Sequence, residues 1–317
     1  MTARLTAAIL ARHGLDPAGP PEPLHGGTVS STWLLPTDQQ PVVARQLATR
    51  FGLARARLAA AVHQRAALAG LAPSLLPAGD GGLVSVDGDG HAWIVMRHVP
   101  GGPSSPAALA AGLGALHEAL AGLAPGSGED CPDFVAVPDP PAAGLEQLLR
   151  DPAHERSAGL VERRLEVLRA SGPGADALLA GPRTWIHGDA RPANHLAAPG
   201  GSTGLFIDFD QASRFPRAYE VLRAFFATSP PLDTAGLRAA LREFLAAYER
   251  GGRPLTHAER AGMASLYVTV QAAETRTFTT GGGEVRGMAA YAAARHLHLE
   301  WLAAHRGQLD AIIGEDT

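Results

Sequence analysis

Three oxygen-bearing side chains stand at fixed intervals in the middle of the chain. Asp189 is followed five positions later by Asn194, and Asp208 comes fourteen positions after that, at the end of a short apolar run. A carboxylate can take the proton of a hydroxyl, while an amide oxygen and a second carboxylate are hard ligands suited to Mg²⁺. Phosphoryl transfer asks for this set: an acceptor hydroxyl held in line with a phosphate, and cations that neutralise the developing charge. Asn194 is the only asparagine in the chain, so a sequence that otherwise avoids the residue keeps one where a metal ligand is needed. The same stretch also holds His187, His195 and Asp210. Histidines and aspartates so grouped could instead serve a metal-dependent hydrolase, which would leave the lone Asn194 and the hairpin carrying Arg45 unexplained.

Taken together, His187-Gly188-Asp189-x-x-x-x-Asn194 and Ile207-Asp208-Phe209-Asp210 resemble the paired motifs of the aminoglycoside phosphotransferase / choline kinase family, over a span from about Leu24 to the C-terminus. The resemblance implies an α+β, bilobal protein-kinase-like fold. Its small β-rich N-terminal lobe would span residues 1–99 and its larger, mostly helical C-terminal lobe residues 100–317. It also implies ATP (GTP being possible), Mg²⁺ and a small-molecule hydroxyl acceptor. Under it Asp189 is the base, and Arg191 either meets the γ-phosphate or acceptor or is solvated. Asn194 and Asp208 hold Mg²⁺. Asp210, standing where protein kinases have the glycine of Asp-Phe-Gly, either touches a second metal or caps the following loop. Gly26, Gly27, Ser30 and Ser31 cover the phosphates. Met96, His98 and Val99 form a hinge whose backbone bonds adenine. His187 is expected to be structural.

Arg45 lies in an apolar strand, where its guanidinium can fork onto phosphate oxygens. All 27 basic residues are arginines, so no lysine is available for that task. The following helix departs from the kinase pattern. Kinases carry there a glutamate that pairs with the strand cation, yet residues 53–71 contain no acid. His63 or Gln64 would occupy that place, or else another carboxylate reaches Arg45, or phosphate alone holds it. A missing partner is also what a nucleotide-binding pseudokinase without transfer activity would show.

The composition bounds the rest. A chain of 317 residues with 46% apolar content can bury a full core. Net charge of -4 advertises no basic face for nucleic acid or anionic lipid. Cys131 stands alone, which excludes an intrachain disulfide and a cysteine zinc site. No apolar run reaches the length of a membrane span or a signal peptide. A cytoplasmic enzyme, monomeric or homodimeric, is expected.

Around the motifs the pattern predicts an amphipathic N-terminal helix, a hairpin over 24–47, a helix over 53–71, strands at 82–87 and 91–96, and a helix from Ser104 or Ser105 to about Leu123. A single Arg-rich helix over 145–170, short strands at 184–187 and 204–208, and four helices from Tyr219 onward complete it. The acceptor is expected to be an antibiotic of aminoglycoside or nucleoside type, or a related metabolite. From residue 211 onward twelve arginines meet eleven acids, which does not favour a strongly cationic acceptor.

Overall fold

The computed structural model describes residues 1–24, 30–47, 52–124, 135, 137–197, 204–230, 232–275, 278 and 288–315. The chain forms two compact units. The first contains Met1–Phe134, Trp185–Arg214 and Ala247–Arg253; the second contains Val135–Thr184, Phe215–Ala246 and Pro254–Thr317. The compact units do not part at the expected 99/100 boundary: residues 100–134 and the segment Trp185–Arg214, whose turn at Phe209–Gln211 packs on the helix Gly52–Leu68, group with the N-terminal residues.

In the first unit, β1 (Glu22–Pro23), β2 (Ser31–Leu35), β3 (Val42–Gln46), β4 (Ser85–Val86) and β5 (Ala92–Arg97) form an antiparallel sheet in the order β1-β2-β3-β5-β4. Alternate side chains of a strand point to opposite faces. Val42 and Ala44 with Trp93 and Val95 therefore meet Ile9 and Leu10 of α1 (Ala3–Arg12). Val43, Ile94 and Met96 meet Ala56, Ala59 and Ala60 of α2 (Gly52–Leu68) on the other side. Arg45, in step with Val43, falls on the α2 face. Helix α3 (Pro106–Leu120) starts at Ser105, whose hydroxyl accepts from the Ala108 N–H. Of the two candidate serines, Ser105 is thus the cap, and Ser104 has another partner.

The second unit holds α4 (Ala143–Arg150), α5 (Ala158–Ala170), α6 (Pro173–Ala180), α7 (Arg217–Ala227), most of α8 (Thr234–Gly251), α9 (His257–Ala273) and α10 (Met288–Gly314). From Gly262 to Ala273 every residue of α9 is buried, and α5, α6, α7 and α10 pack on it; a helix apolar on all sides belongs in a core. Its start is fixed by a capping box between Thr256 and Glu259. Glu259 is in turn forked by the buried Arg217, at 2.7 and 2.9 Å.

The single helix expected over 145–170 is two. Asp151 accepts from the Ala153 N–H and Pro152 follows it, opening a 3₁₀ turn at Pro152–Ser157 that separates α4 from α5. Helix α6 was not expected; its eight residues are too few for a periodic signal. The last helix runs to Gly314, beyond the expected His305. Among the described residues no helix is long and apolar enough to cross a membrane.

Each unit carries a histidine held neutral by burial. His63, whose Nε2 donates to the Pro73 carbonyl at 2.8 Å, has its pKa lowered to about 4. His298, 3.4 Å from the Tyr267 hydroxyl, is likewise lowered to about 4, by burial first and by Arg295 second. The unfolded chain protonates these groups near 6.5. The native state binds fewer protons between pH 6.5 and 4, so stability is full above that window and falls as pH drops through it. Urea unfolding at pH 7.5 and pH 5 should differ by on the order of 2–3 kcal/mol, after discounting the half-buried His298, with the acid sample the weaker.

Candidate active site

All the polar residues singled out around Asp189 lie in the first unit. Strand β6 (Thr184–Ile186) leads into the motif. At Gly188 the backbone takes φ +81°, and an added Cβ would sit 2.0 Å from the Gln211 carbonyl oxygen. Only glycine meets both demands, which accounts for its place between His187 and Asp189. A 3₁₀ turn, Pro192–Asn194, then delivers the chain to β7 (His195–Leu196). That strand pairs antiparallel with β8 (Leu205–Phe206), opposing His195 to Phe206. The Ile207 N–H closes the hairpin on the Asn194 carbonyl at 3.0 Å. Residues fourteen apart in sequence are thus brought to one end of one hairpin.

The hairpin is clamped from both sides. The Phe206 N–H donates to Leu71 beyond α2, and the Ala197 N–H donates to Gly102. The Ser104 N–H bonds the His195 carbonyl, while its hydroxyl lies 2.7 Å from His195 Nδ1. Helix α3 passes so close that a Cβ at Gly112 would lie 2.6 Å from His195 Nε2. His195 is fully buried and structural.

His187 is fixed by two bonds that define its tautomer. Its Nε2 donates to the Ile207 carbonyl at 2.9 Å, and its Nδ1 accepts from the Asp189 N–H at 3.2 Å. The imidazole thereby ties the Asp189 loop to the Asp208 strand, as its expected structural role requires. Asn194 donates through Nδ2 to both the carbonyl and Oδ2 of Asp189, at 2.9 and 3.0 Å. Arg191 Nε lies 3.4 Å from the same carboxylate, with the arginine side chain 43% exposed.

Asp208 adopts a left-handed conformation, φ +69° and ψ 63°, unusual for a residue with a side chain. The turn that follows, Phe209–Gln211, packs against α2. The Phe209 ring sits 4.6 Å from that of His187 and 4.9 Å from that of His63. Arg55 donates to the Ala212 carbonyl just beyond.

Arg45 reaches this turn. Its Nη2 donates to Asp208 Oδ1 at 2.6 Å and to Asp210 Oδ2 at 2.8 Å, its Nε donates to Asp210 Oδ1 at 3.3 Å, and its Nη1 donates to Thr32 Oγ1 at 3.4 Å. Ser30 donates to Asp210 Oδ2 at 2.7 Å. Neither His63 nor Gln64 takes the place of the absent helix glutamate. His63 spends its Nε2 on Pro73, and the carboxylates on Arg45 come from the Asp208–Asp210 turn. Burial by itself lowers the Arg45 pKa, but Asp208 and Asp210 outweigh it and hold the guanidinium more firmly protonated. Asp208 is pushed above the ordinary carboxylate range by burial, with Asp210 and Asp189 adding to the effect and Arg45 and His187 opposing it.

The remaining expected residues separate. Ser31 is exposed and pairs with Gln46, on the strand face opposite Ser30 and Thr32. Gly26 and Gly27 lie outside the described residues. Met96 is a core residue paired with Val43, and the His98 N–H is committed to the Pro41 carbonyl at 3.2 Å. Thr32 was missed, although its position directly opposite Arg45 across the hairpin was a usable signal.

The site can hold a divalent cation on chemical grounds. Among the described residues, three carboxylates (Asp189, Asp208 and Asp210) and two arginines (Arg45 and Arg191) meet here. Asn194 spends its Nδ2 on Asp189, so its Oδ1 is the atom free to ligate, and Arg45 meets Asp208 only at Oδ1. Both free atoms are hard oxygens.

Three solved structures share the architecture. An aminopropanol kinase associated with a microcompartment superposes with TM-score 0.71 and 18% identity, over 98% of this chain and 99% of that one. Amicoumacin kinase in complex with AMP-PNP, Ca²⁺ and Ami gives 0.63 and 12%, over 95% and 93%. The GDP complex of aminoglycoside 2'-phosphotransferase-IIIa gives 0.61 and 14%, over 96% and 100%. At these identities the likeness establishes the fold: this is an α+β protein of the protein-kinase-like class. The profile of the phosphotransferase enzyme family matches residues 21–262, and the chain belongs to that family. A comparison with curated protein sequences finds no match.

Gly188→Ala should destabilise the protein by roughly 3 kcal/mol, since a left-handed φ and a backbone clash both oppose the new methyl. A thermal melt lowered by less than about 2 °C would contradict this account of the loop.

Proposed function

We propose that the chain transfers the γ-phosphate of ATP to a hydroxyl of a small molecule. The observation that carries this reading is the Asp189–Asn194 contact beside Asp208 and Arg45. On this reading, residues of one unit supply a proton acceptor, two hard oxygen ligands and a phosphate-binding cation.

Asp189 accepts the acceptor's hydroxyl proton as that oxygen bonds to the γ-phosphorus and the bond from phosphorus to the β-phosphate oxygen breaks, releasing ADP. Asn194 holds the Asp189 carboxylate in one orientation through its Nδ2. Arg191, a half-exposed cation beside that carboxylate, is positioned for the γ-phosphate or the acceptor. Asn194 Oδ1 and Asp208 would hold Mg²⁺, which supplies neutralisation of charge on the phosphate oxygens when bound. Asp210 was grouped with these ligands on the sequence, and its contacts are with Arg45 and Ser30. Arg45 holds the α/β-phosphate oxygens, beneath the strand that begins near Ser30. Of the three hinge residues, only Val99 has no backbone hydrogen bond among the described residues, so it is the one open to adenine.

Nucleotide and metal use is supported by the family and by the amicoumacin kinase complex with AMP-PNP and Ca²⁺. The GDP complex of the aminoglycoside enzyme keeps GTP as a donor to be assayed. The acceptors proposed are hydroxyl-bearing antibiotics of aminoglycoside or nucleoside type, or related amino alcohols.

The test is label transfer from γ-labelled ATP and GTP with Mg²⁺ to pooled acceptors: aminoglycosides, nucleoside antibiotics, aminopropanol, ethanolamine and choline. Wild type should give a labelled product, and Asp189→Asn should slow transfer by about 10²–10⁴-fold with little change in nucleotide affinity. Tight nucleotide binding without transfer to any acceptor, including a metabolite extract, would refute the reading in favour of a pseudokinase.

A further inference from the structure

Helix α2 offers Arg45 no acid: from Gly52 to Leu68 it contains neither Asp nor Glu. A guanidinium that is to meet phosphate must be fixed by something else, because a long flexible side chain otherwise loses rotamer freedom on binding. Asp210 meets it side-on, Oδ1 to Nε and Oδ2 to Nη2, in a two-point fork. The carboxylate is itself rigid. It is 5% exposed, its Oδ2 takes a third bond from Ser30, and its turn is fixed by the Phe209 ring between His187 and His63.

We infer that Asp210 is a positioning residue and not a metal ligand: it replaces the absent helix carboxylate, with Ser30 as its second anchor, and aims Arg45 at the nucleotide phosphates. The inference rests on the phosphate-holding role given to Arg45 above. Two acids of one turn then divide the work. Asp208 meets Arg45 through one oxygen only, leaving the other for a cation. Asp210 has both oxygens engaged by protein donors. Its fork occupies the Nε edge of the guanidinium, and both hydrogens of Nη2 are taken by Asp210 and Asp208. Nη1, held only by the 3.4 Å contact to Thr32, is the nitrogen that turns to a phosphate oxygen. Ser30 couples the same carboxylate to the entry of β2, so the strand over the phosphates and the cation beneath them share one anchor.

The experiment is ADP binding to the full-length chain by calorimetry in EDTA, where no metal ligand contributes. Arg45→Ala should weaken ADP by about tenfold. Asp210→Asn should weaken it by about five- to tenfold, despite removing a negative charge near an anion. The double variant should be no weaker than Arg45→Ala alone, since the second residue acts through the first. Ser30→Ala, a milder change that keeps the inference testable should Asp210→Asn misfold, should lose about two- to threefold in the same direction. With Mg²⁺ present, the concentration giving half-maximal effect should stay within about twofold for Asp210→Asn but rise at least tenfold for Asp208→Asn. ADP binding in EDTA that is unchanged or tighter in Asp210→Asn, or a raised Mg²⁺ requirement in that variant, overturns the inference while leaving the role of Arg45 intact. If Arg45→Ala itself leaves ADP binding unchanged, the phosphate-holding role fails, and the inference with it.

Discussion

Three carboxylates brought together under low solvent exposure are the constraint on which the rest of the first unit depends. Asp189, Asp208 and Asp210 repel one another, and burial raises the energy of each charged form. Arg45 and Arg191 supply two positive charges against three negative ones, and Arg191 remains 43% exposed. Such an arrangement persists only if the backbone over-determines it. Each carboxylate accordingly has its own device: a left-handed glycine before Asp189, a left-handed backbone at Asp208 itself, and an aromatic ring locked between two imidazoles before Asp210. His187 joins the first two through its two ring nitrogens. The residual negative charge is one that a hard cation could satisfy.

The segment carrying the candidate site was the most legible part of the chain in its geometry, because its contacts are local. Asp189, Asn194 and Asp208 are linked by one short hairpin, so spacing along the sequence translates almost directly into distance. The N-terminal hairpin was legible for the same reason, with turn residues between two apolar runs. The partner of Arg45 was not. It lies more than 160 residues away, so that another carboxylate is foreseeable but which one is not, and the kinase pattern points only to α2. Ser30 and Ser31 show the limit of pattern alone: neighbours at the entry of β2, they differ in that Ser30 meets Asp210 and Ser31 is exposed opposite Gln46. The break between α4 and α5 was readable in Asp151-Pro152 but was outweighed by the helical periodicity on either side. Helix α6 had no signal long enough to read.

The all-arginine composition bears on the site. A lysine in place of Arg45 would present one nitrogen, and a carboxylate that fixed it would compete with phosphate for the same point charge. A guanidinium divides its contacts. One edge can be held by protein while the remaining nitrogen stays available, so anchoring and binding need not exclude each other. The second unit uses arginine similarly. Arg217 forks Glu259 and also bonds the Pro254 carbonyl, and Arg164 lies over the Phe278 ring while bonding carbonyls at the end of α9.

It follows that the missing helix glutamate is weak ground for reading this chain as an inactive relative. What the reaction needs is a fixed cation, and the identity of the residue that fixes it is open to exchange. Under the roles proposed above, Asp210 would do so from the turn that directly follows Asp208. Such a link has a physical consequence. Under those roles, Asp210, which would orient Arg45, and Asp208, which would meet the metal, are set by one backbone segment, so an error in the placement of one is shared by the other, and their separation is preserved.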